Sequence, residues 1–297
     1  MTAPRRIVAG TTYLVTRRTA QRQFLLKPSD LTNRTVGYIL AVAAARHGIR
    51  LHAVAVLSNH IHLVLTDPNA DLPRFCQYFD SLVARAMNAG LGRWDGFWSS
   101  GSYSAVVPLN PDDVVEKTAY TLANPVQAGL VAKGREWPGL WSDPEAVGGA
   151  WRTFERPKHF FSETGFMPTL ATIELSPPPG FGVAAFRALV SSGLAAKEAA
   201  KASALESEGK RFLGVRRVLA QRHTDAPVSV EPRRGLNPRV ASRDKWRRIE
   251  ALMRLKSFLA DYRDALARFR AGIEGVVFPH GTYRMRVFLD VPCAGAG

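Results

Sequence analysis

His60-Ile61-His62 closes an apolar run that begins at Ala53 and leads straight into Leu63-Val64-Leu65. Two positions apart on a strand, His60 and His62 project to the same face, while Ile61, Leu63 and Leu65 point the other way into a core. Two imidazoles side by side on a rigid element make half of a divalent-metal site. Taken alone, the pattern also fits two ordinary strand histidines, one exposed and one satisfied by the core. Further on, Tyr120 and Asn124 lie four apart, so a helix there sets them on one face, one turn from each other. A phenol beside an amide oxygen, both aimed from one helix, is what a tyrosine nucleophile with an adjoining metal ligand would need. The plainer alternative is a packing tyrosine followed by an Asn-Pro stop signal.

Periodicity and punctuation outline the elements that must carry these groups. Residues 11–17 read as a strand, and Asp30 to His47 as a helix with Val36, Ile39, Leu40 and Ala43 on one side. Residues 50–57 and 60–66 read as two strands joined at Ser58-Asn59, or as one bent strand. Asp71 to Ala89 reads as a helix with Leu72, Phe75, Phe79, Leu82 and Val83 at core spacing, Ser102 to Val107 as a fourth strand, and Asp112 to Ala123 as the tyrosine helix. Asn110 or Asp112 can cap that last helix, Pro111 suits its first position, and Pro125 is expected to end it at or near Asn124. The order βαββαβ followed by a helix is the ferredoxin-like pattern. The expected fold class is therefore α+β: a ferredoxin-like antiparallel sheet with helices on one face and the other face open, plus a basic, mainly helical C-terminal region.

The chain has 297 residues, enough for a compact unit over 1–150, a loop-rich linker over 151–180 and a basic accessory region over 181–297. Lys and Arg number 40 against 25 Asp and Glu, a formal net charge of +15, which favours polyanionic partners. The excess is uneven: residues 1–150 hold 15 basic and 11 acidic groups, residues 151–297 hold 25 and 14, and Lys210 to Arg248 alone holds 12 and 3. Trp137, Trp141 and Trp151 are expected to wedge a loop-rich segment against the core, with base stacking as the alternative. Ser176-Pro177-Pro178-Pro179-Gly180 reads as a linker or hard turn, and Phe186 to Leu205 as helical. Arg211 to Leu219, carrying Arg211, Arg216 and Arg217, mixes apolar spacing with cations, as a short helix facing a polyanion would. Arg233 to Arg239 reads as a basic loop. Asp244 to Ala271 reads as a long amphipathic helix with Trp246, Ile249, Leu252, Met253, Leu259, Leu266 and Phe269 supplying apolar surface, and Val276 to Val291 as a strand or hairpin. Cys76 and Cys293 are too few for a disulfide framework or a cysteine metal site. With no apolar run of membrane-spanning length and no signal peptide, the expected location is cytoplasmic and nucleoid-associated, with no membrane partner. His47, His52, His159, His223 and His280 have no partner at ligand spacing and are given no function.

Three stretches together resemble the single-tyrosine HUH transposases, and more narrowly the REP-associated tyrosine transposases. Thr12-Tyr13-Leu14-Val15-Thr16-Arg17-Arg18 resembles the opening strand, with Gln21-Arg22 following as in many members. Ser58-Asn59-His60-Ile61-His62-Leu63-Val64-Leu65 is similar to the metal-binding strand, and Tyr120 to Val131 to the Tyr-x-x-x-Asn-Pro-Val-x-Ala-Gly-Leu-Val stretch. The match spans roughly residues 5 to 145. Two departures stand out: Phe97-Trp98-Ser99-Ser100-Gly101-Ser102-Tyr103-Ser104 carries no charge where members often have a basic residue, and Gln127 stands where the family usually has arginine.

The resemblance implies that His60, His62 and Asn124 are metal ligands and Tyr120 the nucleophile, giving a 5′-phosphotyrosine and a free 3′-hydroxyl on single-stranded or hairpin DNA such as a repetitive extragenic palindrome. The chemistry agrees. A tyrosine phosphodiester has a better leaving group (phenol pKa ~10) than an alkyl ester, which suits reversible strand transfer. Two imidazoles and an amide oxygen, without thiolate, suit Mg²⁺ or Mn²⁺. Arg17, Arg18 and Arg22 are candidate DNA contacts beside Arg211, Arg216 and Arg217. Arg17 and Arg18, being neighbours on a strand, must face opposite ways, one to DNA and one to solvent. The protein is expected to act as a monomer or homodimer. Two other readings remain at this stage: a hairpin DNA-binding protein that no longer cuts, and a metal hydrolase of a small phosphoester with Tyr120 structural.

Overall fold

The expected strands pair as one antiparallel sheet in the order β2-β3-β1-β4, with β1 at Thr11–Arg18, β2 at Arg50–Leu57, β3 at His60–Asp67 and β4 at Ser104–Pro108. In this computed structural model residues 4–228 and 238–295 are described. The expected basic loop therefore lies outside the described residues from Arg233 to Asn237. β2 and β3 are two strands of a hairpin turning at Ser58-Asn59, not one bent strand. β3 is central and buried from Ile61 onward, as its continuous apolar run requires. The crossovers are α1 (Asp30–His47) and α2 (Leu72–Leu91), so the βαββαβ order and the 4-1-3-2 strand arrangement are ferredoxin-like. Ser29 caps α1 by accepting from Thr32 N, and Gly48 ends it in the left-handed region at φ 65°. Val36, Ile39, Leu40 and Ala43 of α1 and Leu72, Phe75, Phe79, Leu82 and Val83 of α2 are all buried.

The second face of the sheet is not open. α3 (Pro111–Gln127) lies on it, and strand alternation shows the two sides. Arg17 points to α2, where it pairs with Asp80, whereas its neighbour Thr16 points the other way and bonds His62, whose ring faces Tyr120 of α3. Asn110 caps α3 by accepting from Asp113 N, and Pro111 occupies its first turn. Pro125 does not end the helix, which runs on to Gln127 with Ala128 N bonded to Asn124 O at 3.0 Å. Proline's fixed φ is already helical, and only one ladder bond is lost, within a turn of the helix end. Two buried indoles of the following loop pin it to β2 and to α3. Trp137 Nε1 donates to Val56 O at 2.8 Å and Trp141 Nε1 to Leu122 O at 2.9 Å, while Trp151 is half-buried.

The stretch expected to be a loop-rich linker contributes two strands. β5 (Gly149–Glu155) and β6 (Leu170–Leu175) form an antiparallel pair, and β6 joins β2 in parallel at Leu51 and Leu175. With the short β7 (Val240–Ala241) parallel to β4, the sheet among the described residues has seven strands, β5-β6-β2-β3-β1-β4-β7. β5 seats against α1 because Gly37 leaves room for the Phe154 ring; a Cβ there would come within 2.4 Å of it. Beyond lie α4 (Val183–Ser207), α5 (Val215–Ala220), α6 (Lys245–Arg270) and α7 (Tyr283–Phe288). α4 packs on α3, where Lys197 Nζ reaches Glu116 Oε1 at 2.6 Å, and Arg243 Nη2 takes the other carboxylate oxygen at 2.7 Å. In α6 only Phe258 and Ala265 are buried, and Trp246, Leu252 and Met253, expected as packing surface, are exposed. The final stretch is not a hairpin. Tyr283-Arg284-Met285-Arg286-Val287 alternates apolar and basic residues as a strand does, but it coils into α7 after a turn at Gly281 (φ 85°). Phe278 N to Pro292 O and Ala294 N to Phe278 O then close the segment. Among the described residues no helix is long and apolar enough to cross a membrane.

Candidate metal and nucleophile site

His60 and His62 leave the first turn of β3 on the α3 side, their rings 4.7 Å apart and edge to face. Each ring has one nitrogen tied up by a neighbour. Asn59 Oδ1 lies 2.6 Å from His60 Nδ1, and Thr16 Oγ1 lies 2.9 Å from His62 Nδ1. With Nδ1 of each ring donating its proton to that oxygen, both Nε2 lone pairs are left for a ligand role. Burial holds the pKa of His62 well below that of a free imidazole, and the nearby His60 adds to it, so His62 is neutral and a competent donor.

Asn124 joins from α3. Its Nδ2 donates to Tyr120 O at 3.2 Å, which turns Oδ1 toward His60 Nε2 at 3.5 Å. Two atoms ligating one ion at ~2.1 Å each stand about 3.0–3.5 Å apart at ordinary coordination angles, so this spacing suits a shared metal. The Tyr120 ring centre lies 6.0 Å from that of His62, and the side chain is 39% exposed, open to a macromolecular substrate. Lys117, one turn earlier, places its ammonium 5.6 Å from the Tyr120 ring centre, within cation–π range. Among the described residues no three His, Cys, Asp or Glu side chains gather at one point. Two imidazoles and an amide oxygen, without thiolate, could hold a divalent ion, with Mg²⁺, Mn²⁺ and Zn²⁺ all compatible on ligand type.

The loop after β1 braces the site from behind. Gln21 and Arg22 sit in the left-handed region at φ 51° and 59°, a conformation that costs side-chain-bearing residues about 1–2 kcal/mol each. They are held there by Ala20 N bonding Phe97 O and by Asn59 Nδ2 donating to Arg22 O at 3.2 Å, which also fixes the amide that orients His60.

Four groups singled out by sequence, His60, His62, Tyr120 and Asn124, thus meet at one corner of the sheet. Arg18 pairs in register with His60 on the adjoining strand, and Arg22 lies in the bracing loop. Arg17 is neither on that side nor in solvent: its side chain, 12% exposed, is 3.2 Å from Asp80. Arg211, Arg216 and Arg217 are exposed on and before α5, which is anchored by buried Val218. That segment adjoins the corner through Leu213 N to Gly129 O at 2.8 Å and Lys27 Nζ to Leu219 O at 3.0 Å. Gln127 turns away to Lys197 O. Sequence reasoning missed Thr16, Asn59 and Lys117. Lys117 is visible three places before Tyr120 on a helix, but Thr16 becomes a partner only through the β1–β3 register.

No protein-family model matches the chain, and no curated protein matches it. Solved structures similar to it include a REP-associated tyrosine transposase bound to a REP hairpin, 20% identical, with a TM-score of 0.40 over 47% of this chain and 81% of that one. Another is a protein of Deinococcus radiodurans R1 described as a transposase, 23% identical, with a TM-score of 0.27 over 36% of this chain and 85% of the other.

Proposed function

We propose that the chain is a metal-dependent single-tyrosine DNA endonuclease and strand transferase of the transposase type, acting on single-stranded or hairpin DNA such as repetitive extragenic palindromes. The observation that carries this reading is the convergence of two neutralisable imidazoles and one amide oxygen beside an exposed tyrosine. His60, His62 and Asn124 would hold a divalent ion, which would supply charge neutralisation and orientation of the scissile phosphate. Tyr120 Oη attacks phosphorus, the bond from phosphorus to the departing 3′-oxygen breaks, and that oxygen takes up a proton as the phenol loses one. The products are a 5′-phosphotyrosine and a free 3′-hydroxyl. Attack by another 3′-hydroxyl reverses the step and joins strands, so no external energy source is needed. Arg18, Arg22, Arg211, Arg216 and Arg217 are the proposed backbone contacts.

The test is a covalent-adduct assay. Wild-type protein and Tyr120→Phe are incubated with labelled single-stranded hairpin DNA from the flanks of the gene, with Mg²⁺ or Mn²⁺ and with chelator. The expected result is a metal-dependent slow band on denaturing gels that Tyr120→Phe abolishes. Tight binding without adduct on the true flanking hairpin sinks the cleavage claim and leaves a protein that recognises hairpins without cutting.

A further inference from the structure

On the α2 side of the sheet, opposite Tyr120, lies a cavity of about 560 Å³ between the N-terminal segment, α2, α6 and α7. Arg5, Arg17, Arg239 and Arg284 line it, and Asp80 is the one carboxylate among its lining residues. The guanidinium of Arg5 stacks 3.9 Å from the Tyr103 ring centre and donates through Nη2 to Tyr103 O, but its Nη1 is buried with no partner. The Tyr103 hydroxyl is buried as well, where it interacts with the Arg5 guanidinium and with Cys76. Burial pushes the Tyr103 phenol up, so it stays protonated and is a donor. Arg17 and Arg239 are both pulled down, first by burial, and Arg5 contributes repulsion to each. Asp80 offsets this weakly, because burial pushes its carboxyl up to about 7 despite Arg17. Guanidiniums that repel one another around a cavity with a single carboxylate in its wall are costly unless an anion sits among them.

We propose that this cavity is a second binding site that takes the phosphate of a nucleotide, with Arg239 and Arg284 gripping the phosphate oxygens and the Arg5 guanidinium adding positive charge behind them. Guanidinium forks match the phosphate geometry, and the space is larger than a bare phosphate needs. The rings of Tyr262 and Tyr283 in the wall give the rest of the nucleotide an aromatic surface. The same chemistry serves a free mononucleotide or one unit of a DNA strand passing behind the sheet. It rests on none of the Tyr120 chemistry.

The full chain is titrated calorimetrically with inorganic phosphate and with dAMP, and by fluorescence anisotropy with a labelled single-stranded oligonucleotide. The cavity variant is Arg239→Gln/Arg284→Gln. The control, Arg263→Gln/Arg268→Gln on the exposed side of α6, removes the same two charges elsewhere. Saturable one-to-one binding of phosphate and dAMP, weakened roughly tenfold to hundredfold in the cavity variant and unchanged in the control, identifies a free-nucleotide site. A loss confined to the oligonucleotide, beyond that of the control, identifies a strand-binding site. Equal affinities for all three ligands in wild type, cavity variant and control overturn the proposal. Should the double variant fail to fold by circular dichroism, Arg284→Gln alone, at an exposed position of α7, is read by the same comparison.

Discussion

Single side chains would decide whether the His60–His62 corner can hold an ion, and the deciding ones stand behind the two imidazoles. Asn59 is bonded on both sides, to His60 Nδ1 and to Arg22 O, so it sets ring orientation and loop shape together. Asn59→Ala is expected to weaken Mn²⁺ binding about 10–100-fold with the fold intact, measured by calorimetric titration of the metal. An unchanged isotherm would show that His60 needs no orienting partner. Asp80 sets a pH dependence. Its carboxyl is held near 7 by burial, above its ordinary 3.8, so the folded state keeps a proton that the unfolded chain releases. Stability therefore falls as pH rises from about 4 to about 7, by at most about 4 kcal/mol, and is flat above that window. Chemical denaturation across this range should show the slope in wild type and its loss in Asp80→Asn. Equal slopes would place the proton elsewhere.

At the scale of elements, the sheet gains two strands by one small-residue contact. Gly37→Ala would drive a methyl into the Phe154 ring, so it is expected to cost about 1–3 kcal/mol in the denaturation midpoint and to raise amide exchange in β5 before β2. A silent substitution would mean that β5 docks without that contact. The four central strands and both crossover helices were legible from alternation and 3.6-residue spacing, and so were His60, His62, Tyr120 and Asn124, because each pair is local on one element. β5 and β6 were hidden: Ala150-Trp151-Arg152-Thr153-Phe154 has no clean alternation, and its pairing is secured by distant Gly37 and Leu51. Pro125 misled because a stop signal is a propensity, and burial of Leu122, Ala123 and Val126 against the sheet outweighs one lost bond. α7 misled because two buried residues, Tyr283 and Met285, produce a strand-like alternation that one short helix satisfies equally well. α6 shows the reverse, an apolar stripe present in the sequence with few partners in the described residues.

For the molecule as a whole, charge and connectivity are arranged differently. The +15 excess is concentrated after residue 150, and part of it, on α5, is tied back to the catalytic-candidate half of the chain by Lys27 and by the backbone at Gly129, just beyond α3. Arg216→Ala/Arg217→Ala is expected to weaken single-stranded DNA binding and to flatten the plot of log affinity against log salt by about 1.4, two contacts at ~0.7 each. An unaltered slope would remove α5 from the DNA path. The last helix closes on the first residues, with Ile7 N bonded to Gly281 O at 2.9 Å and Tyr283 Oη to Asp71 at 3.2 Å. During synthesis, then, the two sides of the sheet mature at different times. The tyrosine corner has all its parts once Asn124 and the indole of Trp141 have emerged from the ribosome. The arginine cavity must wait for position 284, so an interrupted translation product would carry the tyrosine corner with nothing assembled behind it.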